Sequence, residues 1–135
     1  MLIKKLVPVQ KNNSPQSLLV PTNDMAKSPD NHRPLELVFV RHGQSEGNVA
    51  TKAAEKGDAR YFTPEFRKRH SSTWDLTKTG IRQAKAAGKW IRENINGGVF
   101  DGYYASTYRR AKRTAGYLHL PNAKWNLRDY IREHD

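Results

Sequence analysis

The sequence contains no cysteine, which rules out a disulfide framework, a thiolate nucleophile and any cysteine-based zinc site. It also lacks an apolar run near the roughly 18 residues that a membrane-spanning helix requires. Met1 to Val9, MLIKKLVPV, carries basic residues, but Lys4-Lys5 and Pro8 interrupt its apolar run, unlike a secretory signal. A cytoplasmic protein without a membrane partner is expected. Acidic side chains are scarce: 13 Asp and Glu stand against 24 Lys and Arg, a formal charge of +11. Such a surplus concentrates anionic partners of any kind near the surface. The charges are dispersed, with no aromatic-interleaved basic motif, so no specific nucleic-acid face is expected. At 135 residues the chain is long enough for one domain with its own core.

What is present divides at about residue 34. Residues 1–34 hold Pro8, Pro15, Pro21, Pro29 and Pro34 among Asn and Ser, with short apolar patches such as Leu2-Ile3 and Leu18-Leu19-Val20. Proline at this density blocks helices and interior strands, so 1–34 reads as a largely flexible leader. Its patches leave open docking as an edge segment. Residues 35–135 read as the folded domain. Leu35 to Val40 is a short apolar, β-branched-rich run, the pattern of a buried strand. Val49 to Glu55 is helix-compatible. Thr63-Pro64-Glu65 is a helix start with proline at the first helical position, followed by a basic cluster, Arg67, Lys68, Arg69 and His70. Thr77 can cap a longer helix in which Ile81, Ala84, Ala87, Ile91 and Ile95 share one face. Asn96-Gly97-Gly98 ends it. A second strand is expected near Tyr103 to Ser106, then a helix from Thr107 to Leu118 burying Tyr108, Ala111, Ala115 and Leu118, then a third strand at Lys124 to Leu127. Strand, helix and strand in that order predict a right-handed parallel crossover.

The chemistry collects where the first strand stops, at Arg41-His42-Gly43 with Ser45 and Asn48 just beyond. In open α/β sheets ligands gather at the carboxyl ends of strands. An Arg, a His and a Gly there can bind an anion and present a nucleophilic imidazole. Arg110 falls in the first turn of the helix after the second strand, at the same sheet edge. Its planar guanidinium can grip two phosphoryl oxygens, helped by the helix N-terminus. Arg109 and Arg113 are i, i+4 neighbours and read as a solvated stripe.

The spacing Arg-His-Gly-x-Ser-x-x-Asn resembles the signature of the histidine phosphatase (phosphoglycerate mutase-like) family. Leu76-Thr77-x-x-Gly80-x-x-Gln83-Ala84 and Ser106-x-x-x-Arg110-Ala111-x-x-Thr114-Ala115 resemble two later landmarks. The resemblance implies an α/β fold, a three-layer α/β/α sandwich with a mainly parallel sheet, here incomplete at its C-terminal end. It implies hydrolysis of a phosphomonoester through a phosphohistidine on His42. Arg41, Arg110, Ser45 and Asn48 would bind phosphate, with no metal or cofactor. A phosphorylated small molecule or a phosphoprotein is the implied partner, and the basic cluster 67–70 either contacts its leaving group or is a solvated loop. The proton donor falls in Ile131-Arg132-Glu133-His134-Asp135: Glu133 is preferred, with Asp129 in a second register.

Two departures from the family pattern bear on activity. A second catalytic histidine would follow a later strand, and none of His32, His70, His119 and His134 does so. The 135 residues are therefore expected to be the amino-terminal part of a longer domain, and a non-catalytic phosphate- or phosphoprotein-binding module remains a competing expectation. Gly47, where cofactor-dependent mutases would show Trp before the Asn, favours phosphatase over mutase.

Overall fold

The computed structural model describes Leu2–Lys5 and residues 36–131. Four strands, β1 (Leu2–Lys5), β2 (Glu36–Phe39), β3 (Gly102–Ser106) and β4 (Trp125–Arg128), form one sheet in the order β2-β1-β3-β4. The helices are α1 (Glu46–Ala54), α2 (Pro64–Lys68), α3 (Lys78–Asn94) and α4 (Arg109–Tyr117). This is the expected α/β fold. β2, β3 and β4 run in one direction, and β3 pairs with β4 in parallel, Tyr103 opposite Trp125.

The difference from expectation is β1. Four residues of the region read as a leader lie inside the sheet, antiparallel to both neighbours, with Leu2 opposite Phe39 on one side and Tyr104 on the other. They form neither a flexible segment nor an edge. The crossover from β2 through α3 to β3 therefore joins strands that run in the same direction but are not adjacent. The rest of the expected leader, Met1 and residues 6–34, lies outside the described residues, as does Leu35 of the expected first strand.

Local chemistry accounts for the helices. Ser45 caps α1: its hydroxyl accepts from the Asn48 N–H at 3.2 Å, and Asn48 Oδ1 accepts from the Ser45 N–H at 3.0 Å. This reciprocal pair satisfies two donors that a helix start otherwise leaves orphaned, and it starts the helix three residues before the expected Val49. Thr63 caps α2 through the Phe66 N–H, with Pro64 at the first helical position. Thr77 caps α3 through the Gly80 N–H at 3.1 Å. The chain leaves α3 through Asn96, Gly97 and Gly98, all at positive φ, where two glycines pay little steric cost.

The core joins α3, the end of α4 and one face of the sheet: Ile91, Phe100, Tyr103, Leu118 and Leu120, with Val38, Val40, Ala87 and Trp125 packed against them. Full burial of a side chain such as Leu118 stabilises by about 2 kcal/mol. α4 buries Tyr108, Ala111, Ala115 and Leu118 as expected, and also Arg110 and Thr114. β2 departs from the buried strand that was expected, since Leu37 and Phe39 are 43% and 74% exposed. The reason is position. Among the described residues β2 is an edge strand, and α3 and α4 cover the face bearing Val38, not the one bearing Leu37 and Phe39.

Candidate active site

β2 and β3 end at the same edge of the sheet, and their exits carry the functional side chains. One strand lies between them, so their backbones are roughly 10 Å apart. An arginine is long enough to reach across. Arg110 does so: its Nε–H donates to His42 Nε2 at 3.1 Å. Its NH1 donates to the Ser71 carbonyl at 2.8 Å, and its guanidinium lies 4.7 Å from the centre of the Tyr108 ring. Arg110 is 5% exposed. A buried cation held by a carbonyl, a ring and an imidazole has a fixed position rather than a mobile one.

The two nitrogens of His42 are distinguished by their partners. Nδ1 lies 2.8 Å from the Gly43 carbonyl oxygen. A carbonyl can only accept, so Nδ1 carries the proton. A guanidinium N–H can only donate, so Nε2 presents its lone pair. The ring is thus held as the neutral Nδ1–H tautomer with its nucleophilic nitrogen against the anion-binding arginine. Arg41 is exposed and lines, with His42, Gly43, Gln83 and Thr114, a cavity of about 220 Å³. Val40, Ala84 and Ala87 complete its lining, and Arg110 is not part of it.

Two buried devices hold this loop in place. Thr114, 1% exposed, accepts from the Gly43 N–H at 3.2 Å and donates to the Arg110 carbonyl at 2.8 Å, tying the histidine loop to the arginine helix. On its other side the loop lies against the start of α3 with no room for side chains. A Cβ on Gly43 would stand 2.3 Å from the Gly80 carbonyl oxygen, and one on Gly80 would stand 2.0 Å from that of Gln44. Hydrogen bonds run along the same seam. The Gln44 N–H donates to Gln83 Oε1 at 2.8 Å, the Thr77 N–H donates to the Gln44 carbonyl at 3.0 Å, and the Glu46 N–H donates to that of Asp75 at 3.0 Å.

The remaining expected site residues are placed as follows. Ser45 is 1% exposed and spends its hydroxyl on the α1 cap. Asn48 is exposed and spends Oδ1 on the same cap. Asp129, just past β4, accepts from the Thr107 hydroxyl at 2.7 Å. Glu133 lies outside the described residues. In the basic cluster, Arg67 donates to the Phe62 carbonyl, Arg69 stands 2.7 Å from Glu46, and His70 accepts from the Ser72 N–H. These groups fold their own segment. Arg109 and Arg113 are not a purely solvated stripe, because both reach Asp75 Oδ2, at 3.0 Å and 3.4 Å. Sequence reasoning assigned no role to Thr114, Gln83 or Ser71. Thr114 was visible as a motif position, whereas the Ser71 carbonyl carries no sequence signal.

Residues 37–135 match the family profile of the histidine phosphatase superfamily (branch 1). The chain belongs to that superfamily. It is 34% identical over 104 residues to the 2,3-bisphosphoglycerate-dependent phosphoglycerate mutase of Methylorubrum populi, covering 70% of this chain and 41% of the relative. It is 31% identical over 102 residues to the corresponding mutase 2 of Latilactobacillus sakei, covering 70% and 37%. A solved structure described as phosphohistidine phosphatase SixA from Nakamurella multipartitia is 31% identical, with a TM-score of 0.42 over 46% of this chain and 34% of that one. The chain spans about two-fifths of the length of the curated relatives it matches.

Proposed function

We propose that this histidine phosphatase superfamily chain carries the phosphoryl-accepting half of a phosphomonoester-hydrolysing site. The observation that supports it most is the pairing of His42 Nε2 with the Arg110 Nε–H at 3.1 Å, with Nδ1 held by Gly43. In the first step the Arg110 Nε–H shifts from Nε2 to a phosphoryl oxygen, the Nε2 lone pair forms a bond to phosphorus and the ester P–O bond breaks. Arg110 and Arg41 take the charge on the phosphoryl oxygens, and Asn48 can add its amide N–H. Glu133 gives its proton to the leaving alkoxide. In the second step water attacks phosphorus, the P–N bond breaks and Glu133 takes a proton back from the water. Neutral imidazole suits this work because it is nucleophilic near neutral pH and its phosphoramidate is labile. Converging cations stabilise the charge on the transferred group.

A second reading, phosphoglycerate-type transfer to another substrate oxygen, is favoured by the names of the mutase relatives. Against it stands Gly47, whose missing Cβ is where the Trp74 ring lies: a Cβ there would be 2.1 Å from the indole. A tryptophan at position 47, as expected of cofactor-dependent mutases, does not fit this packing. A non-catalytic phosphate-binding module is the third reading. The discriminating experiment incubates the protein with an aryl phosphate, followed by acid-labile phosphoprotein analysis. Turnover with a labile phosphoenzyme, both lost in His42→Ala, supports hydrolysis. Phosphate transfer to added phosphoglycerate supports the mutase, and phosphate binding without either supports the module.

A further inference from the structure

The outer face of α4 carries a feature that the His42 site does not use. Arg109, Lys112, Arg113, Gly116, Tyr117 and His119 line an open cavity of about 620 Å³. These positions recur at helical spacing on the side opposite the buried Arg110, Ala111, Thr114 and Ala115. Tyr117 has two cations over its ring, Arg113 at 5.4 Å and Lys85 of α3 at 5.7 Å, and its hydroxyl accepts from Arg113 NH2 at 3.0 Å. Three permanent cations, Arg109, Lys112 and Arg113, thus line one cavity, and the first and last of them share the Asp75 carboxylate.

Folding accounts for only part of this arrangement, through the ion pairs of Arg109 and Arg113 with Asp75. α4 has no acidic residue in its first turn and places Arg109, Arg110, Lys112 and Arg113 there or just after it. Cations at a helix N-terminus oppose the macrodipole, and like charges at i, i+3 and i, i+4 repel. Arg110 is explained by His42 and Arg109 and Arg113 share the single carboxylate of Asp75, whereas the Lys112 side chain has no hydrogen bond or ion pair among the described residues, so the outer face keeps a surplus of positive charge. Charge kept where it costs stability is most simply kept for an anion. The cavity falls in the size range of small-molecule sites and exceeds what a single phosphate fills.

We infer that the cavity on the outer face of α4 is a second anion site, separate from the His42 centre, which takes a small polyphosphate through Arg109, Lys112 and Arg113 beside Tyr117. The probe is inorganic tripolyphosphate, titrated calorimetrically at low ionic strength, where such contacts are least screened. The wild-type chain is compared with Lys112→Glu, Lys112→Gln, Arg110→Ala and His42→Ala, each checked for native helicity. Tripolyphosphate should bind the wild type and bind about tenfold or more weakly to Lys112→Glu. Lys112→Gln should be intermediate, and both site variants close to wild type. Orthophosphate should show the reverse pattern, lost with Arg110→Ala and indifferent to Lys112, so a failed catalytic reading leaves the second site readable. Equal tripolyphosphate affinity in wild type and Lys112→Glu overturns the inference, as does loss in Arg110→Ala and His42→Ala to the same extent as in Lys112→Glu. A short single-stranded DNA that binds at least tenfold more tightly than tripolyphosphate, with the same Lys112 dependence, also overturns it and assigns the face to nucleic acid.

Discussion

The inner and outer faces of α4 carry the same residue type to opposite ends. Arg110, facing inward, is 5% exposed and bonds an imidazole and a backbone carbonyl. Arg109, one position along, has a side chain 55% exposed and shares a carboxylate with Arg113. Residue type does not separate them. Burial does, because a buried guanidinium is costly unless its donors are matched, and the matching partners fix it in one place. An exposed one is screened and mobile, and contributes little alone. The chemistry of the His42 site thus depends on the face that the sheet and α3 enclose.

The sharpest way to break this comparison is to truncate each arginine in turn. Arg110→Ala is expected to lower aryl phosphate turnover in an active form by about 10²–10³-fold, the loss typical of one donor aimed at developing charge. Arg109→Ala should stay within about twofold, since surface pairs of this kind are worth under about 1 kcal/mol. Equal effects, measured as kcat/KM on the same substrate, would remove the distinction between the faces and the motif register with it.

Next in size is the seam that holds His42 in place. With a Cβ on Gly80 at 2.0 Å from the Gln44 carbonyl oxygen, Gly80→Ala must push the loop off α3. A loss of about 3 kcal/mol in urea unfolding is expected, at the upper end for overpacking. Gly57, whose added Cβ would meet nothing within 4 Å but which has a φ of 83°, provides the control. Gly57→Ala should cost about 1 kcal/mol through backbone strain alone. Comparable losses at the two positions would show that the loop is not wedged.

These two glycines also show how far the sequence could be read. The Leu-Thr-x-x-Gly segment was legible as structural, and Arg110 as the inward arginine, because helical periodicity and the motif register agree on both. The alternation of Val38 and Val40 against Leu37 and Phe39 was read as one buried run, because which face of an edge strand is covered depends on helices far along the chain. The insertion of Leu2–Lys5 between β2 and β3 was illegible for a similar reason. A four-residue patch among prolines has no local signal that specifies a distant pairing. Trp74 belongs to the same class. It stacks on Phe66 at 5.0 Å and fills the space above Gly47, while its indole N–H is buried with no partner found among the described residues. Nothing within the segment announces that contact.

Thr114, on the inner face, links the His42 loop to α4 and gives a smaller effect of a different kind. Thr114→Val keeps the shape but leaves the Gly43 N–H buried and without its acceptor, at a cost of about 1–3 kcal/mol. Because the hydroxyl also donates to the Arg110 carbonyl, the histidine loop and the arginine helix lose a shared tie. Turnover should fall more than orthophosphate affinity, with Thr114→Ser restoring both. A Ser variant no better than Val would mean that the methyl packing, not the hydroxyl, is what matters at this position.

The smallest effect belongs to the surface pair Asp58 and Arg60, whose bonds at 2.8 and 2.9 Å have the geometry of a strong bidentate contact. The Arg60 guanidinium holds the Asp58 carboxyl below its ordinary value. A carboxyl whose folded value is depressed contributes stability above its unfolded value and loses it as pH falls through the folded one. Any contribution would therefore disappear on acidification. Arg60 is exposed and Asp58 half-buried at the surface, however, where solvent and salt screen the pair. Asp58→Asn should leave the acid limb of the stability curve superimposable on wild type. A displaced limb would show that exposed geometry can count here as buried geometry does, against the lesson of the two arginines.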